Sequence, residues 1–295
     1  MEWFHYHEES HTWTLKAMYQ VMHISKQGFH QQMARRTRSL EEQQTLLVIV
    51  DQVREDHPTM SSRQMYRLVH PETIGRDKFE AMCFAEGYKV EKKRAFHRTT
   101  VSTGVNRFPN LIAGREVTSV NQVWVSDITY YRIEEIFYFL TFIMDVYSRH
   151  LIGYSVSSSL FTTETTIPAL KMAVRKRKMK PKEIHAELIL HSDGGGQYYS
   201  KDFLKVTSKY TIINSMGKNA YENPHAERIN GIIKNDYLVW YKPKDFEDLK
   251  QKLAKAVRMY NEQRPHSCLR KMNPVAFELS GKSKPTIIKA IKTQN

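Results

Sequence analysis

The sequence predicts an α/β fold in which a mixed sheet is flanked by helices and preceded by small all-helical domains. Two patterns indicate this fold. From Asn121 onward, three runs rich in β-branched and aromatic residues follow one another with short breaks, which is typical of an antiparallel meander. Before Asn121, apolar residues recur at helical spacing in several short segments. These patterns separate a helical N-terminal part from a C-terminal α/β core.

The predicted core begins with three strands and then alternates between helices and strands. In order, the elements are strands Gln122–Ile133, Ile136–Val146 and Leu151–Ser157, helix Thr163–Lys178, strand Glu187–His191, helix Lys201–Lys209, strand Thr211–Asn214, a helix from Asn223 to about Tyr237, and helix Lys244–Glu262. Asn223 is expected to cap its helix, and Pro224 suits the first helical position. This order is that of the RNase H fold, whose mixed sheet has helices on both faces.

The N-terminal part contains two predicted helical units. The first, Leu15–Met33, is interrupted at His23–Ser25, where Ser25 can cap a new helix, so it has a helix-turn-helix outline. The second, Leu46–Tyr88, contains three helical segments and ends at Gly87. Both units could equally be simple packing bundles. The predicted domains are a helix-turn-helix-like segment at 1–40, a second helical domain at 41–100, a linker at 101–115, the core at 116–280 and a loose basic tail at 281–295.

The charge balance indicates a polyanionic partner. The chain has 45 Lys and Arg against 31 Asp and Glu, a formal net charge of +14. This excess favours nucleic acid, and a merely basic soluble protein is the alternative. The longest strongly apolar stretch, Ile136–Met144, is about half as long as a bilayer span, and the N terminus lacks a signal-peptide pattern. We therefore expect a cytoplasmic protein that does not enter a membrane.

Cysteine usage gives no support for a disulfide framework or a zinc site. Cys83 and Cys268 are the only cysteines and lie far apart in sequence. We expect two reduced, mostly packed thiols. Three N-terminal histidines, His5, His7 and His11, could bind a metal, but no cysteine lies near them and we expect them to be solvated.

Three acidic residues fall at informative places in the predicted core. Asp127 lies inside its first strand, Asp193 follows its fourth strand, and Glu227 lies in the first turns of the helix after Asn223. In an RNase-H-like sheet the first and fourth strands are neighbours, so Asp127 and Asp193 should lie side by side with Glu227 above them. Clustered carboxylates need cations to offset their repulsion, and hard oxygen ligands suit Mg²⁺ or Mn²⁺. The pattern predicts a two-ion site for phosphoryl displacement.

Several residues near these acids have competing interpretations. Gly194–Gly196 would permit close approach of a phosphate backbone and unusual backbone angles, although a triple glycine at a strand end could be only a turn. Asp145, close to Arg149, is interpreted as a structural ion-pair partner rather than a metal ligand. Trp124 is interpreted as a core anchor. His191 is expected to be buried and hydrogen-bonded, with proton transfer as the alternative.

Five blocks of sequence resemble the retroviral-integrase-type core of bacterial transposases and the C-terminal signature of the insertion-sequence-three family. They are Trp124–Tyr130, Asp145–Arg149 with Ile152–Gly153, His191–Tyr198, Glu222–Arg228, and Tyr260–His266 with Leu269 and Asn273–Pro274. The resemblance covers roughly Leu15 to Phe277. It implies a transposase that cleaves and joins DNA at terminal inverted repeats with a divalent metal. It also implies that Asp127, Asp193 and Glu227 are its catalytic residues.

The resemblance extends to the helical units and to the partners. In the family, segments like Met22–Phe29 and Ile74–Phe79 belong to helix-turn-helix regions, which implies DNA contacts by Lys26, Arg76 and Lys78. Family members act in assemblies that hold two DNA ends, and two overlapping reading frames commonly produce a longer fusion. We therefore expect a DNA-bound homo-oligomer on inverted repeats and target DNA, with or without an upstream-frame partner.

Two features depart from the pattern of the family. The interval between Met216 and Glu227 is about two residues shorter than usual. In addition, Glu222 stands where the family often has aspartate, so Glu222 is a rival for the third metal ligand. Glu227 is preferred because it lies inside the helix, whereas Glu222 precedes the cap.

Basic residues near the third acid and on later helices are candidate phosphate contacts. They are Lys218, Arg228, Lys234 and Arg264. Two other functions are alternatives to a transposase: a non-catalytic DNA-binding regulator or decayed copy, and a plain RNase H. The complete set of three acids argues against the first, and the two upstream helical units argue against the second.

Overall fold

The computed structural model describes residues 14–90, 107–182, 187–217, 222–283 and 285–288. Some residues discussed above lie outside these ranges. They are the N-terminal histidines His5, His7 and His11, the basic residue Lys218, and the end of the tail, 289–295.

Within the described ranges, four helices precede the sheet: α1 Leu15–Val21, α2 Lys26–Asp56, α3 Ser62–Val69 and α4 Arg76–Ala85. Ser25 caps α2 as predicted, because its hydroxyl accepts a hydrogen bond from the Gly28 amide. Helix α2 is 31 residues long and passes through the boundary predicted between residues 40 and 41, so that boundary is wrong. The polar residues around it include no glycine or proline, and strong helix formers keep the helix intact without burial.

The second helical unit has a core of its own, formed by the end of α2 together with α3 and α4. Its members are Val50, Met60, Met65, Phe79 and Cys83. Helix α3 begins with a capping box between Ser61 and Gln64. Gly87 ends the unit with a φ of +77°, as its predicted role as a helix stop requires. Cys83 is packed as predicted, whereas Cys268 is exposed, so the prediction of a packed thiol is wrong there.

Seven strands occur within the described ranges: β1 Glu116–Val117, β2 Val123–Ile133, β3 Ile136–Asp145, β4 Leu151–Ser157, β5 Ile189–Ser192, β6 Ile213–Met216 and β7 Thr286–Ile287. Five of them form the central sheet in the order β4-β3-β2-β5-β6. Strands β2, β3 and β4 are an antiparallel meander, whereas β5 runs parallel to β2 and β6 runs parallel to β5. The predicted RNase-H-like order is confirmed.

The sheet is covered by helices α5 Thr166–Lys176, α6 Lys201–Lys209, α7 Pro224–Gly231, α8 Phe246–Glu262 and α9 Pro274–Leu279. Helix α7 continues as a π-helix, Ile232–Leu238, and ends with one further turn, Val239–Tyr241. None of the helices in the described part of the chain is long and apolar enough to cross a membrane.

Side-chain alternation along β2 divides the core into two layers. Val123 and Val125 pack in the layer of α7 and α8, whereas Trp124 packs in the layer of α5 and α6. Trp124 is fully buried and donates its Nε1 hydrogen bond to Asn121, which confirms its interpretation as a core anchor. The two layers explain why the strands carry apolar residues at nearly every position.

Gly153 on β4 lies directly against α5. A Cβ atom at this position would overlap the carbonyl oxygen of Ala169 and lie 3.0 Å from the Cβ of Ala173. We expect Gly153→Ala to lower the free energy of unfolding by about 2 kcal/mol or more, because the helix backbone has to move. Urea unfolding measures this effect, with Gly231→Ala as the control, since a Cβ at Gly231 meets only the end of Asn235, 3.9 Å away. Equal stabilities of the two variants would contradict the expectation.

The segment after residue 281 is predicted to be a loose tail, but part of it belongs to the core. Strand β7 pairs antiparallel with β1, and the buried residues Ile112 and Ile288 lie on either side of this pairing. The Ile288 amide donates to the Arg115 carbonyl, and the Gly114 amide donates to the Ile288 carbonyl. The core therefore extends beyond the predicted limits of 116–280, because an apolar side chain and paired backbone groups hold both flanks.

Buried polar contacts join the second helical unit to the core. The two ring nitrogens of His57 each lie 3.0 Å from a core atom, Nδ1 from the Tyr237 hydroxyl and Nε2 from the Gln263 Oε1. The Tyr241 hydroxyl donates to the carbonyl oxygen of Asp56. Burial lowers the pKa of His57, so its imidazole is neutral at pH 7. These contacts place the helical unit beside α7 and α8.

Candidate active site

Parallel pairing of β2 with β5 brings Asp127 and Asp193 together. Val125 pairs with His191, and each acid follows its paired residue by two positions. The two carboxylates therefore occupy equivalent places on neighbouring strands and on the same face of the sheet. Both residues are partly buried.

The surroundings of Asp127 disfavour its charge. Burial, and then the neighbouring charge of Asp193, raise the pKa of Asp127 to about 8, with a smaller contribution from Glu227. Two hydrogen bonds act in the opposite direction: Asn230 donates from Nδ2 to Oδ2 at 2.6 Å, and the Ile128 amide donates to Oδ1 at 2.9 Å. The site therefore holds two acids that a cation would stabilise in their charged form.

Asp193 is held by the glycine turn that follows it. The Gly195 amide donates to Asp193 Oδ1 at 3.1 Å, and burial raises the pKa of Asp193. The unusual backbone angles predicted for Gly194–Gly196 are absent, because none of the three has a positive φ. Space is the reason for glycine at Gly195, where a Cβ would lie 3.0 Å from the carboxylate oxygen.

Glu227 lies on α7, exposed to solvent. It raises the pKa of Asp127 only weakly, and no three acidic, histidine or cysteine side chains in the described ranges are grouped closely enough to hold a metal ion. No hydrogen bond or ion pair to another described residue fixes its carboxylate. Glu222, the alternative candidate for the third metal ligand, is held in place by Asn110, which donates a 2.9 Å hydrogen bond to its Oε2.

Two residues of this site were not predicted. Asn230 lies three positions after Glu227 and therefore on the same side of the helix, a spacing that could have identified it. Tyr198 is buried, and its hydroxyl lies 2.8 Å from the Ser126 hydroxyl. Burial, followed by the charges of Asp127 and Asp193, raises the pKa of Tyr198.

Asn223 does not cap α7 in the predicted way. Its side chain makes no capping hydrogen bond, and its Nδ2 donates to the Ser126 carbonyl at 2.9 Å. The residue after it, Pro224, has no amide hydrogen, which reduces the number of donors that need a cap. Asn223 instead ties the start of α7 to β2, the strand that carries Asp127.

Asp145 is a structural ion-pair partner, as interpreted, but its partner is Arg177. The Arg177 guanidinium lies 3.3 Å from Asp145 Oδ2, and the Asp145 side chain is fully buried. Arg149, the neighbour in sequence, has a φ of +62° and contacts His225 instead. His191 is buried with its Nδ1 2.9 Å from the Ser215 hydroxyl, and burial lowers its pKa to about 4, which confirms a hydrogen-bonded role.

The basic residues predicted to contact DNA lie in three environments. Lys26, Arg76 and Lys78 are exposed in the first turns of α2 and α4, where Arg76 is paired with Asp77. Lys234 is close to the acidic pair, and its Nζ donates to the Thr129 hydroxyl at 2.8 Å.

The other two basic residues lie near the contact between the helical unit and the core. Arg228 is exposed, whereas Arg264 is 14% exposed and forms a 2.6 Å ion pair with Asp236. The charge of Arg264 is thus partly neutralised within the protein, unlike that of Arg228.

The sheet order and the flanking helices define the class of proteins with an integrase-type RNase-H-like core. A family model described as an integrase core domain matches residues 117–221. A second model with the same description matches residues 208–274. Together the two matches span the acidic residues and the helices α7 and α8.

The 31 kDa protein of insertion element IS600 from Shigella sonnei is 32% identical over 209 residues, which cover 69% of this chain and 75% of that protein. Transposase InsF for insertion sequence IS3A from Escherichia coli strain K12 is 30% identical over 161 residues, 54% of each protein. The chain therefore belongs to the transposases of bacterial insertion sequences that have an integrase core domain. Its function is transposition, and no observation favours the non-catalytic alternative.

Solved structures include a similar fold. The catalytic core domain of HTLV-2 integrase in complex with magnesium is 23% identical, with a TM-score of 0.43, over 57% of this chain and 99% of that chain. A simian T-cell lymphotropic virus intasome in complex with the PP2A regulatory subunit B56 gamma is 17% identical, with a TM-score of 0.46, over 80% of each chain.

Proposed function

We propose that this chain cleaves DNA at the terminal inverted repeats of an insertion sequence and joins the strands to target DNA, with Asp127, Asp193 and Glu227 as its catalytic residues. The observation that carries this proposal is that Asp127, in β2, and Asp193, directly after the parallel neighbour β5, each lie two positions beyond the paired residues Val125 and His191. Membership in the transposase family supports polynucleotidyl transfer as the reaction.

The donor set fits a hard divalent cation. Asp127 and Asp193 offer carboxylate oxygens in a partly buried place where their mutual repulsion opposes ionisation, and Mg²⁺ or Mn²⁺ would relieve it. Glu227 lies exposed on the covering helix, without a hydrogen bond or ion pair to another described residue, and is assigned here as the third ligand. Two such ions, when bound, lower the pKa of an attacking water or 3′-hydroxyl and stabilise the oxygens displaced at phosphorus.

Neighbouring residues orient the acids. Asn230 fixes Oδ2 of Asp127, and the Gly195 amide fixes Oδ1 of Asp193. The Ile128 amide also donates to Oδ1 of Asp127, so these hydrogen bonds set the direction of both carboxylates. Lys234, beside Thr129, places a cation where a phosphate adjoining Asp127 would carry negative charge.

DNA recognition is assigned to the N-terminal helices. Lys26, Arg76 and Lys78 are exposed in first helical turns, a position that suits contacts to DNA phosphates. The net charge of +14 supports tight, salt-dependent association with inverted repeats and target DNA. A DNA-bound homo-oligomer, with or without an upstream-frame fusion segment, would hold the two ends of the element together.

Strand joining tests the proposal directly. The purified protein is incubated with end-labelled inverted-repeat duplex and a target plasmid, in Mg²⁺ or in EDTA, and products are separated on a denaturing gel. We expect nicked and joined strands in Mg²⁺ and none in EDTA. An upstream-frame fusion is run in parallel, and no product from either protein would contradict the proposal.

Incubation with an RNA:DNA hybrid of the same sequence distinguishes a transposase from the alternative of an RNase H. A transposase leaves the RNA strand intact under conditions in which the DNA duplex is joined. Cleavage of the hybrid without joining of the duplex would assign the core to RNA hydrolysis instead.

A further inference from the structure

A cavity of about 210 Å³ lies beside α7, on the other side of that helix from the acidic pair. His225, Arg228 and Ile232 line it and follow one another at helical spacing. Glu227 and Asn230 lie on the side of α7 that faces Asp127. The same helix therefore presents Glu227 on the side of the candidate active site and Arg228 on the side of the cavity.

Three arginines converge on this cavity, with one counter-ion among the residues that the structure describes. They are Arg149, Arg228 and Arg264. Asp236 neutralises Arg264 at 2.6 Å, whereas Arg149 uses one donor on His225 Nδ1 at 2.6 Å. Within the described part of the chain, Arg228 has neither a hydrogen bond nor an ion pair. The cavity therefore retains two uncompensated positive charges and most of the donors of two guanidinium groups.

His266 also lines the cavity, and the positive charge of the arginines affects its protonation. Burial, and then Arg264, Arg149 and Arg228, lower the pKa of His266 to about 3, so its ring is neutral at pH 7. Its Nε2 is buried and lacks a hydrogen-bond partner among the described residues. A ring nitrogen without a partner among the described residues, close to the guanidinium groups of Arg149 and Arg228, suits the binding of an anion.

We propose that this cavity binds a backbone phosphate of the same DNA strand whose phosphate reacts at Asp127 and Asp193. The identity of the ligand as DNA rests on the proposed function. Arg149 and Arg228 would donate to the phosphate oxygens, and His266 would add a neutral donor. Arg264 is a positioning residue, because Asp236 already holds its guanidinium.

A larger adjoining cavity, about 520 Å³, gives the strand a way to continue. Arg228 and Arg264 line both cavities, while Thr59, Ser61 and Gln64 reach the second one from the helical unit. Phosphates placed along this line would run from the acidic pair, past α7, to the domain that is assigned to DNA recognition. The arrangement would hold the strand on one side of the reacting bond and limit its movement at the acidic pair.

Salt dependence of DNA binding tests the cavity without any need for catalysis. Binding of a fluorescent inverted-repeat duplex is measured by anisotropy in EDTA over a range of NaCl concentrations. One phosphate contact contributes about 0.9 to the slope of log K against log salt, so we expect the Arg149→Gln, Arg228→Gln double variant to flatten the slope by about 0.9. Arg264 is left unchanged, since its removal would leave the Asp236 carboxylate without its ion-pair partner.

A matched control removes two cations elsewhere. Lys171 and Arg175 are exposed on α5, which covers the opposite face of the sheet. The Lys171→Gln, Arg175→Gln double variant is expected to keep the slope of the unmodified protein. Equal slopes for the cavity variant, the control and the unmodified protein would overturn the proposal.

The two cysteines provide a local readout of the same cavity. Cys268 is exposed and lines the cavity, whereas Cys83 is buried in the helical unit and should not react. We expect saturating inverted-repeat DNA to slow alkylation of Cys268 by a maleimide several-fold, and to slow it less in the cavity variant. Unchanged alkylation in the presence of bound DNA would also overturn the proposal.

Failure of this inference differs from failure of the proposed function. Flattened slopes and a protected Cys268 without any strand joining would support the phosphate cavity and contradict the transposase chemistry. If the unmodified protein joins DNA strands but the Arg149→Gln, Arg228→Gln variant keeps the full salt dependence of binding, the transposase chemistry is supported and the phosphate cavity is contradicted.

Discussion

Asp127→Asn is expected to abolish strand joining while the protein stays folded. The substitution keeps the size of the side chain and removes the charge that a divalent cation needs. We expect a loss of at least about 10³-fold, beyond that of a single hydrogen bond to the transition state. The fold should tolerate the change, because the Asn230 amide can rotate and offer its Oδ1, a buried atom without a hydrogen-bond partner in the described residues.

The same variant should be more stable than the unmodified protein in the absence of metal. The pKa of Asp127 is raised from 3.8 to about 8 on folding, so the ionised carboxylate opposes folding. This cost is absent below the unfolded-state pKa and grows as the pH rises toward the folded-state value. An amide does not titrate, and the stability difference in favour of Asp127→Asn should therefore increase between pH 4 and pH 8.

Joining assays and urea unfolding in EDTA measure these two effects on the same preparation. Asp202→Asn is the control, since Asp202 is exposed on α6 and, among the described residues, its carboxylate is paired only with Lys205. It should change neither the joining rate nor, by more than about 1 kcal/mol, the stability. If Asp127→Asn joined DNA at the normal rate, the assignment of Asp127 would be wrong.

Arg177→Met is expected to be the most destabilising single change outside the candidate active site. Arg177 donates to both oxygens of Glu278, at 2.6 and 2.9 Å, and lies 3.3 Å from the fully buried Asp145. It joins the end of α5 to α9 and to the end of β3. Without it the buried carboxylate of Asp145 loses its counter-ion and the partly buried Glu278 keeps only His150 among the described residues, which costs about 3–5 kcal/mol.

Urea unfolding at pH 7 checks this expectation. Lys205→Met removes an exposed cation from a surface pair and should cost at most about 1 kcal/mol. Arg177→Lys keeps the charge but loses the two-pronged contact with Glu278, so its stability should fall between those of the two methionine variants. A cost for Arg177→Met no larger than for Lys205→Met would show that the ion pairs contribute little.

Regular patterns in the sequence predicted the core well. The strands of the central sheet and the helix Lys201–Lys209 follow from β-branched runs and from apolar spacing, which local backbone preferences largely determine. The neighbouring positions of Asp127 and Asp193 followed from the strand order. The domain limits were less accurate, because a polar helix such as α2 has no apolar period to reveal its continuation.

The residues that complete the site required the tertiary structure. Asn230 contacts Asp127 across 103 positions, and Asn223 donates to a strand carbonyl instead of capping its helix. No local rule predicts either contact, because each depends on where α7 lies above β2. The convergence of Arg149, Arg228 and Arg264 on one cavity is likewise a consequence of packing between separate elements.

The order of helices and strands, the three candidate acids and the positive charge that suits DNA could all be predicted from the amino-acid sequence. These are properties of composition and of short periodic segments, where each residue's preference acts locally. Three features became visible only in the folded protein: Arg177, not Arg149, neutralises Asp145, β7 joins the core, and Arg149 and Arg228 meet at a cavity beside α7. Burial and long-range pairing select such partners, because a charge or an unpaired backbone group inside a protein is stable only beside whichever partner the fold brings within reach.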